Sequence, residues 1–186
     1  MPYFPMMIDL NEKKILVIGG GREGENKVEI LHGFHARITL IARDATEKAA
    51  RLSASYLQRD FEDSDLDAED FLLVVAATDD RKLNERISRL ARDRGIPVNI
   101  VDDMELCTFI FPAIIKDGDV VCSVSSSGKS PFVAQYIKEL ITKVLPAGIG
   151  EINDRMGRFR KQAKEEIASS EARRAFLKNK LHELLH

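Results

Sequence analysis

The stretch KKILVIGGGREGENKVEIL, residues 13–31, begins as an apolar run, passes through a cluster of glycines and ends in a helical pattern. We predict a buried strand over Lys14–Ile18 and a helix over Glu23–Leu31, closed by Gly33. A strand that leads through glycines into a helix is typical of the first unit of a nucleotide-binding α/β fold. This stretch therefore predicts the architecture of the N-terminal part of the chain.

The glycines between strand and helix, GGGREG, fit the spacing G-x-G-x-x-G, in which each glycine has its own role. Gly19 permits a tight turn, Gly21 lets a pyrophosphate approach the backbone, and Gly24 allows the helix to pack closely on the strand. The N–H groups at the beginning of the helix, at Arg22 and Glu23, attract phosphate oxygens. We therefore predict that these residues bind a dinucleotide; a glycine turn without a ligand is the alternative.

Two side chains just after the second predicted strand, Arg37–Ala42, bear on the choice of cofactor. Asp44 lies 20 residues after Gly24, where an acidic residue holds the ribose hydroxyls of NAD. Arg43 is a cation beside it and would favour the additional phosphate of NADP. We predict NAD as the cofactor, with both side chains near its adenosine end.

Residues 43–103 continue the alternation of strands and helices. Further strands are predicted at ASYLQ (54–58), FLLVVAAT (71–78) and PVNIV (97–101). A helix is predicted over Arg81–Arg94, capped by Asp79 and Asp80. Such alternation predicts a Rossmann-like, doubly wound parallel sheet.

The pattern changes after Asp103, where the strands TFIFPAII and DVVCSV follow each other without a crossover helix. A helix over Pro131–Leu145 comes next, and two further helices are predicted to meet near Ser169. The predicted division is an NAD-binding Rossmann domain at 1–103, a small mixed α/β segment at 104–146 and a helical C-terminal domain at 147–186.

Composition and charge argue against several classes of protein. Lys and Arg number 28 against 30 Asp and Glu, and this near-neutral balance argues against a nucleic-acid-binding protein. No apolar run approaches the roughly 20 residues that cross a membrane, and MPYFPMMIDL lacks the features of a signal peptide. We predict a cytoplasmic protein. His182 and His186 have the spacing of metal ligands on a helix, but two ligands make a poor site, so no metal is expected.

Hydroxyl and acidic side chains follow two of the predicted strands. Thr78 and Asp79 end FLLVVAATD, and Asp102 follows PVNIV. The carboxyl ends of neighbouring parallel strands meet at one edge of a sheet, where open α/β sheets bind ligands. Thr78 and Asp79 are therefore predicted to contact the cofactor as well as to cap the next helix. By itself, the position of Asp102 favours a turn or a helix cap.

The segment SVSSSGKSP, residues 123–131, contains Gly128-Lys129-Ser130, the end of a P-loop that grips ATP phosphates. Ser123 stands where the first glycine of a P-loop is required, which argues against a nucleotide hydrolase. Several hydroxyls and one lysine that lead into a helix N-terminus suit a different anion. Ser130 is expected to cap that helix.

Several segments together resemble the precorrin-2 dehydrogenase and sirohydrochlorin ferrochelatase family, the N-terminal module of siroheme synthase, over about residues 3–146. In chain order they are LVIGGG, VVAATDDRKLN, VNIVDD, FIFPAII and SVSSSGKSP. The chain departs from the family's usual pattern in two places. It has GENK at residues 24–27, where the family usually has Ala-Glu-Arg-Lys, and SSSG at residues 125–128, where the family usually has Ser-Ser-Gly-Gly.

The resemblance implies an enzyme that uses NAD⁺ to oxidise precorrin-2, an anionic tetrapyrrole, to sirohydrochlorin; many members then insert Fe²⁺. It also implies a homodimer formed through the segment that follows the nucleotide-binding unit. Asp102 matches the family's functional aspartate, so we predict that it is catalytic. Ser126 matches a position that the family uses at its active site, and Lys129 is predicted to bind substrate carboxylates.

A non-catalytic NAD-sensing regulatory domain is the alternative function. Such a domain shares the glycine loop and the acid at the end of the second strand. It does not account for VNIVDD, FIFPAII and the serine-rich loop together.

Overall fold

The computed structural model of the chain describes residues 3–185, in two compact units that divide between Phe111 and Pro112. In the first unit strands and helices alternate: β1 (Lys14–Gly20), α1 (Arg22–His32), β2 (Arg37–Ala45), α2 (Glu47–Leu52), β3 (Ser55–Leu57), β4 (Leu73–Ala76), α3 (Arg81–Asp93) and β5 (Val98–Ile100). The five strands form one parallel sheet in the order β3-β2-β1-β4-β5. The predicted Rossmann-like, doubly wound sheet is confirmed.

The helices cover both faces of this sheet because successive residues of β1 point to opposite sides. Ile15 and Val17 pack in one buried cluster with Val28 and Leu31 of α1 and Ala49 of α2. The alternate residues of β1 pack in a second cluster with the apolar side of α3; it includes Leu16, Ile18, Ile87 and Ala91. The central strands are therefore apolar throughout, as a strand covered on both faces requires.

Helix α2 was not predicted from the sequence. Its six residues bury only Ala49, so the apolar periodicity that marks a helix is absent from EKAARL. Thr46 caps the helix, since its Oγ1 accepts a hydrogen bond from the N–H of Ala49 at 3.1 Å.

The first unit extends beyond residue 103, the end of the predicted Rossmann domain. The segment 104–111 runs back along β5: the N–H of Thr108 donates to the carbonyl of Val98 at 2.8 Å, and the N–H of Val98 donates to Thr108 Oγ1 at 2.8 Å. Phe109 and Phe111 pack against the core cluster beside α1. The strand predicted over TFIFPAII therefore begins only at Ala113, because its first residues belong to the sheet unit. The three-part division of the chain remains a prediction.

The second unit has two antiparallel strands, β6 (Ala113–Asp117) and β7 (Val120–Val124), followed by three helices. The helices are α4 (Pro131–Val144), α5 (Ile149–Glu166) and α6 (Ser170–Leu185). The small mixed segment and the helical end predicted from the sequence are both present. The pair α5 and α6 is held by Phe159 and Phe176, whose rings meet edge to face at 6.3 Å.

Within residues 3–185, every helix is too short or too polar to cross a lipid bilayer.

Candidate active site

Three neighbouring strands of the first unit end at the same edge of the sheet. Strand β4 lies between β1 and β5, and the pairings Ile18–Ala76 and Ala76–Ile100 align their carboxyl ends. The glycine loop follows β1, the segment 77–80 follows β4, and the turn with Asp102 follows β5. We call this region the carboxyl edge, and it is where an open α/β sheet binds its ligands.

The glycine loop is shaped by close backbone contacts at its first and last glycines. Gly19 has a φ of 103°, and a Cβ atom there would collide with the carbonyl oxygen of Ala77. A Cβ atom on Gly24 would collide with the carbonyl oxygen of Gly19, so α1 can approach β1 only with glycine at this position. Gly20, to which the sequence assigned no role, lies against Ala45, whose Cβ would be 2.6 Å from an added Cβ.

Gly21 differs from its neighbours because the protein leaves open space beside it. A Cβ atom on Gly21 would meet no atom of residues 3–185 within 4 Å, apart from its chain neighbours. Gly21 is also the N-cap of α1 and offers no side-chain acceptor to the first N–H groups of the helix, at Arg22 and Glu23. Open space in front of uncapped N–H groups at a helix N-terminus fits a phosphate group of a dinucleotide.

Arg43 and Asp44 lie at the end of β2, which is longer than the sequence predicted and pairs Ala45 with Gly20. The Asp44 side chain is exposed, and the backbone carbonyl of Asp44 lies beside Gly20 of the glycine loop. Arg43 forms an ion pair with Asp60 at 3.3 Å, and about 80% of each side chain is exposed. Such a pair contributes little, so the Arg43 guanidinium is available to a ligand.

Thr78 and Asp79 follow β4. Of these two residues, only Thr78 forms side-chain hydrogen bonds within residues 3–185. Its Oγ1 donates to Asn84 Oδ1 at 2.7 Å, and Asn84 Nδ2 donates to the carbonyl of Thr78 at 2.9 Å. The helix cap is Asp80, which accepts hydrogen bonds from the N–H groups of Lys82 and Leu83. The predicted cap at Asp80 is therefore confirmed, whereas the expectation that Thr78 and Asp79 also cap α3 is wrong, since the chain needs these two residues to turn from β4 into the helix.

Asp102 lies at a strained turn immediately after β5. Its φ of 62° is in the left-handed region, which Asp and Asn enter more readily than other residues with a side chain. The turn is closed by the N–H of Asp103, which donates to the carbonyl of Ile100 at 3.4 Å. The Asp102 carboxylate is exposed, and no hydrogen bond or ion pair reaches it from residues 3–185. It is free to accept a proton from a ligand.

The thiol of Cys107 holds this turn in place, a role that the sequence did not indicate. Its Sγ accepts a hydrogen bond from the N–H of Ile100 at 3.2 Å and lies 3.2 Å from the carbonyl oxygens of Ile100 and Asp103. Burial is the main cause that raises the pKa of Cys107, so the thiol is neutral. Asn99 supports the same segment, since its Nδ2 donates to the carbonyl of Phe109 at 3.1 Å.

Two carboxylates at the carboxyl edge interact electrostatically with one further side chain, Lys27 of α1. Burial lowers its pKa, and the carboxylates of Glu23 and Asp102 both oppose that effect. Glu23 at the beginning of α1 and Asp102 after β5 are therefore within electrostatic reach of the same ammonium group. The carboxyl edge thus brings the glycine loop and the Asp102 turn together.

The serine-rich loop belongs to the second unit, between β7 and α4. Ser126 Oγ donates to the carbonyl of Ser130 at 2.8 Å and accepts from its N–H at 3.1 Å, which closes the loop. Ser130 caps α4 as predicted, because its Oγ accepts from the N–H of Val133 at 3.3 Å. Ser127 has a φ of 54°, in the region that favours the glycine of the family's usual pattern. Lys129 is exposed at the tip of the loop.

Among residues 3–185, no group of three or more His, Cys, Asp or Glu side chains is arranged to hold a metal ion. His186, one of the two histidines considered above as metal ligands, lies outside the described residues.

The chain is similar to several known proteins. It is 36% identical over 180 residues to the siroheme synthase of Ruthia magnifica subsp. Calyptogena magnifica and 38% identical over 180 residues to that of Thioalkalivibrio sulfidiphilus. Each alignment covers 95% of this chain but only 38% and 36% of the relative, so the chain spans less than two fifths of these proteins.

The fold is also shared with a solved structure. The protein described as "SirC, precorrin-2 dehydrogenase" superposes with a TM-score of 0.75, over 95% of this chain and 88% of that one, at 19% sequence identity. The resemblance noted from the sequence motifs is confirmed by these similarities. A family model described as putative NAD(P)-binding matches residues 6–113, which contain the whole sheet, the glycine loop and the Asp102 turn. The chain therefore belongs to the putative NAD(P)-binding family that this model defines.

Proposed function

We propose that this chain uses NAD⁺ to oxidise precorrin-2 to sirohydrochlorin, a step of siroheme synthesis. One observation carries the proposal: the open glycine loop lies at the same edge of the sheet as the Asp102 carboxylate, which has no partner within residues 3–185. The similarity to siroheme synthases and the fold shared with SirC support the tetrapyrrole substrate. No observation favours the regulatory alternative, which needs no free carboxylate at the end of β5.

The oxidation removes a hydride and a proton from the substrate. NAD⁺, when bound, accepts the hydride. Asp102 takes the proton, because its carboxylate is exposed, has no partner in the described chain and is held by a turn that Cys107 pins to β5. The N–H groups of Arg22 and Glu23 hold the pyrophosphate beside Gly21.

The adenosine end of the cofactor is assigned to the end of β2. Asp44 binds the ribose hydroxyls, and its negative charge disfavours the additional phosphate of NADP. Arg43 lines the same end, while Thr78 and Asp79 line the cofactor after β4. We assign NAD rather than NADP, and a cytoplasmic location where NAD⁺ is available.

Substrate carboxylates are assigned to the serine-rich loop of the second unit. Lys129 presents an exposed ammonium there, and Ser126 shapes the loop through its two hydrogen bonds with Ser130. Precorrin-2 carries eight carboxylates, so several cationic and hydroxyl groups are needed to bind it. Fe²⁺ is assigned as the second substrate, and its insertion into sirohydrochlorin releases the two pyrrole N–H protons. The Asp102 carboxylate either accepts these protons or, as a hard oxygen ligand, guides Fe²⁺.

Mixing the protein with precorrin-2 and NAD⁺ tests the proposal. We expect sirohydrochlorin and NADH to form together in equal amounts, and each product is measured by its own absorption band. The rate of sirohydrochlorin formation should be lower with NADP⁺. Addition of Fe²⁺ and a comparison of siroheme formation with and without protein then test the second activity. Binding of NAD⁺ with no change in the tetrapyrrole spectrum would instead identify a regulatory domain.

We also propose that the chain forms a homodimer through α4. This helix exposes an apolar stripe at helical spacing, in which Phe132 is 85% and Tyr136 is 62% exposed; its members are Phe132, Val133, Tyr136, Ile137, Leu140 and Val144. An apolar stripe of this length is unusual on the surface of a monomer and typical of an interface between subunits.

Tyr136→Asp is expected to convert the dimer into a monomer, because it places a charge in the centre of the stripe. Light scattering after gel filtration should give twice the chain mass of 20.9 kDa for the natural protein and the single mass for the variant. The matched control is Thr142→Asp, at an exposed position of α4 outside the stripe. A natural protein that elutes at 20.9 kDa would contradict the proposed dimer.

A further inference from the structure

Lys27 lies on α1 between the glycine loop and the Asp102 turn, and neither the sequence motifs nor the proposed mechanism gave it a role. Helix side chains point toward the N-terminus of their helix, and the N-terminus of α1 faces the carboxyl edge. The long side chain of Lys27 therefore extends back toward that edge, with its stem half-buried.

The Lys27 ammonium is held on a fixed aromatic surface. It lies 4.9 Å from the centre of the Phe111 ring, a cation–π contact. The Phe111 ring packs at a tilt against the Phe109 ring, with the ring centres 5.4 Å apart. Both rings pack on the core cluster beside α1. Asn99 of β5 donates to the Phe109 carbonyl, so this surface is tied to the strand that positions Asp102.

No hydrogen bond or ion pair to the Lys27 ammonium exists within residues 3–185. Two other partly buried lysines of the first unit each have a carboxylate partner: Lys14 lies 2.8 Å from Glu69, and Lys48 lies 2.7 Å from Glu29. The Lys27 Nζ is not among the buried side-chain atoms that lack a partner in residues 3–185, so the ammonium reaches solvent and its N–H donors are open to a ligand. An incoming anion would supply the missing acceptors.

We propose that the Lys27 ammonium binds a carboxylate of the tetrapyrrole substrate and so places the macrocycle against Asp102. The inference rests on the proposed function and adds a substrate-positioning residue to it. The pyrophosphate of the cofactor is served by the N–H groups beside Gly21, one turn earlier in α1. Lys27 also offsets the negative charges of Glu23 and Asp102, which would otherwise repel a polyanionic ligand at this edge.

Three variants test this role. Lys27→Met keeps an unbranched side chain on the Phe111 ring and removes the charge, whereas Lys27→Arg keeps the charge. The matched control is Lys48→Met, which removes a lysine of α2 that pairs with Glu29. Should Lys27→Met fail to fold, as judged by circular dichroism, Lys27→Gln replaces it.

The measurement is direct binding, by titration of sirohydrochlorin and, separately, of NAD⁺, into the full chain. We expect the Kd for sirohydrochlorin to rise about tenfold in Lys27→Met, as expected for the loss of one charge-assisted hydrogen bond. The Kd for NAD⁺ should stay within about twofold, and Lys27→Arg and Lys48→Met should bind both ligands nearly as the natural protein does. The difference between Lys27→Met and the natural protein should shrink as salt is added.

A Lys27→Met variant that binds sirohydrochlorin as tightly as the natural protein would overturn the inference, and so would one that loses only NAD⁺. These outcomes are distinct from failure of the proposed function. That function fails if the natural protein does not oxidise precorrin-2, whereas the Lys27 inference fails alone if the natural protein oxidises it and Lys27→Met binds sirohydrochlorin unchanged.

Discussion

Replacing Asp102 with asparagine is expected to lower the rate of precorrin-2 oxidation by at least about 100-fold, because general base catalysis contributes at least that much. Asparagine has nearly the same shape as aspartate but does not accept a proton at neutral pH. The affinity for NAD⁺ should stay within about twofold, since the proposed cofactor contacts lie at the glycine loop, β2 and the end of β4. The rate is measured from sirohydrochlorin formation in a single turnover at saturating NAD⁺.

Asparagine is the better probe because of the backbone at this position. With a φ of 62°, an alanine at 102 would add strain of roughly 1 kcal/mol, which asparagine avoids. A loss of activity in Asp102→Ala would therefore have two causes that the experiment does not separate, the missing carboxylate and a shifted turn. Asp103→Asn is the matched control, since it removes the neighbouring carboxylate and is expected to retain activity. Full activity in Asp102→Asn would remove this residue from the mechanism.

Replacing Gly21 with valine is expected to weaken NAD⁺ binding about 100-fold, a loss equivalent to one or two charge-assisted hydrogen bonds to phosphate. A Cβ atom at residue 21 would meet no atom of residues 3–185 within 4 Å beyond its chain neighbours, so the valine side chain enters the open space assigned to the pyrophosphate. The midpoint of thermal unfolding should therefore stay close to that of the natural protein. Calorimetric titration with NAD⁺ measures the affinity.

Gly24→Ala separates the loss of cofactor binding from a loss of packing. A Cβ atom on Gly24 collides with the carbonyl oxygen of Gly19, so this smaller substitution should destabilise the fold, which a lower unfolding temperature would show. Gly21→Val should show the reverse pattern, with affinity lost and stability kept. Unchanged NAD⁺ affinity in Gly21→Val would mean that the pyrophosphate does not lie at this loop.

The strands and most of the helices can be predicted from local patterns of apolar and polar residues in the sequence. Continuous apolar runs such as ILVI and LVVA are needed by strands covered on both faces, and all five predicted strands of the sheet are present. The boundaries were less well predicted at β2, which continues to Ala45 because it pairs with Gly20 of β1. Pairing between strands extends an element beyond the residues that signal it.

The candidate site was predicted where a residue type and its position in the fold are both encoded locally. Gly19, Gly21 and Gly24 follow a strand and open a helix, so the sequence pattern alone predicts a glycine loop at this position. The cap on α3 was predicted less sharply: Thr78, Asp79 and Asp80 were all expected to cap the helix, and only Asp80 does so. Only the backbone path from β4 into α3 selects Asp80.

Local patterns in the amino-acid sequence are enough to predict the doubly wound sheet, the glycine loop after its first strand and the carboxylate after its last strand. Tertiary structure alone decided which side chains surround that carboxylate. Lys27 forms a cation–π contact with Phe111, which lies 84 residues later in the chain. The thiol of Cys107 accepts a hydrogen bond from the backbone N–H of Ile100 across a turn. The physical reason is that helix and strand patterns arise from neighbours along the chain, whereas the partner of a charge or a thiol depends on how distant segments pack together.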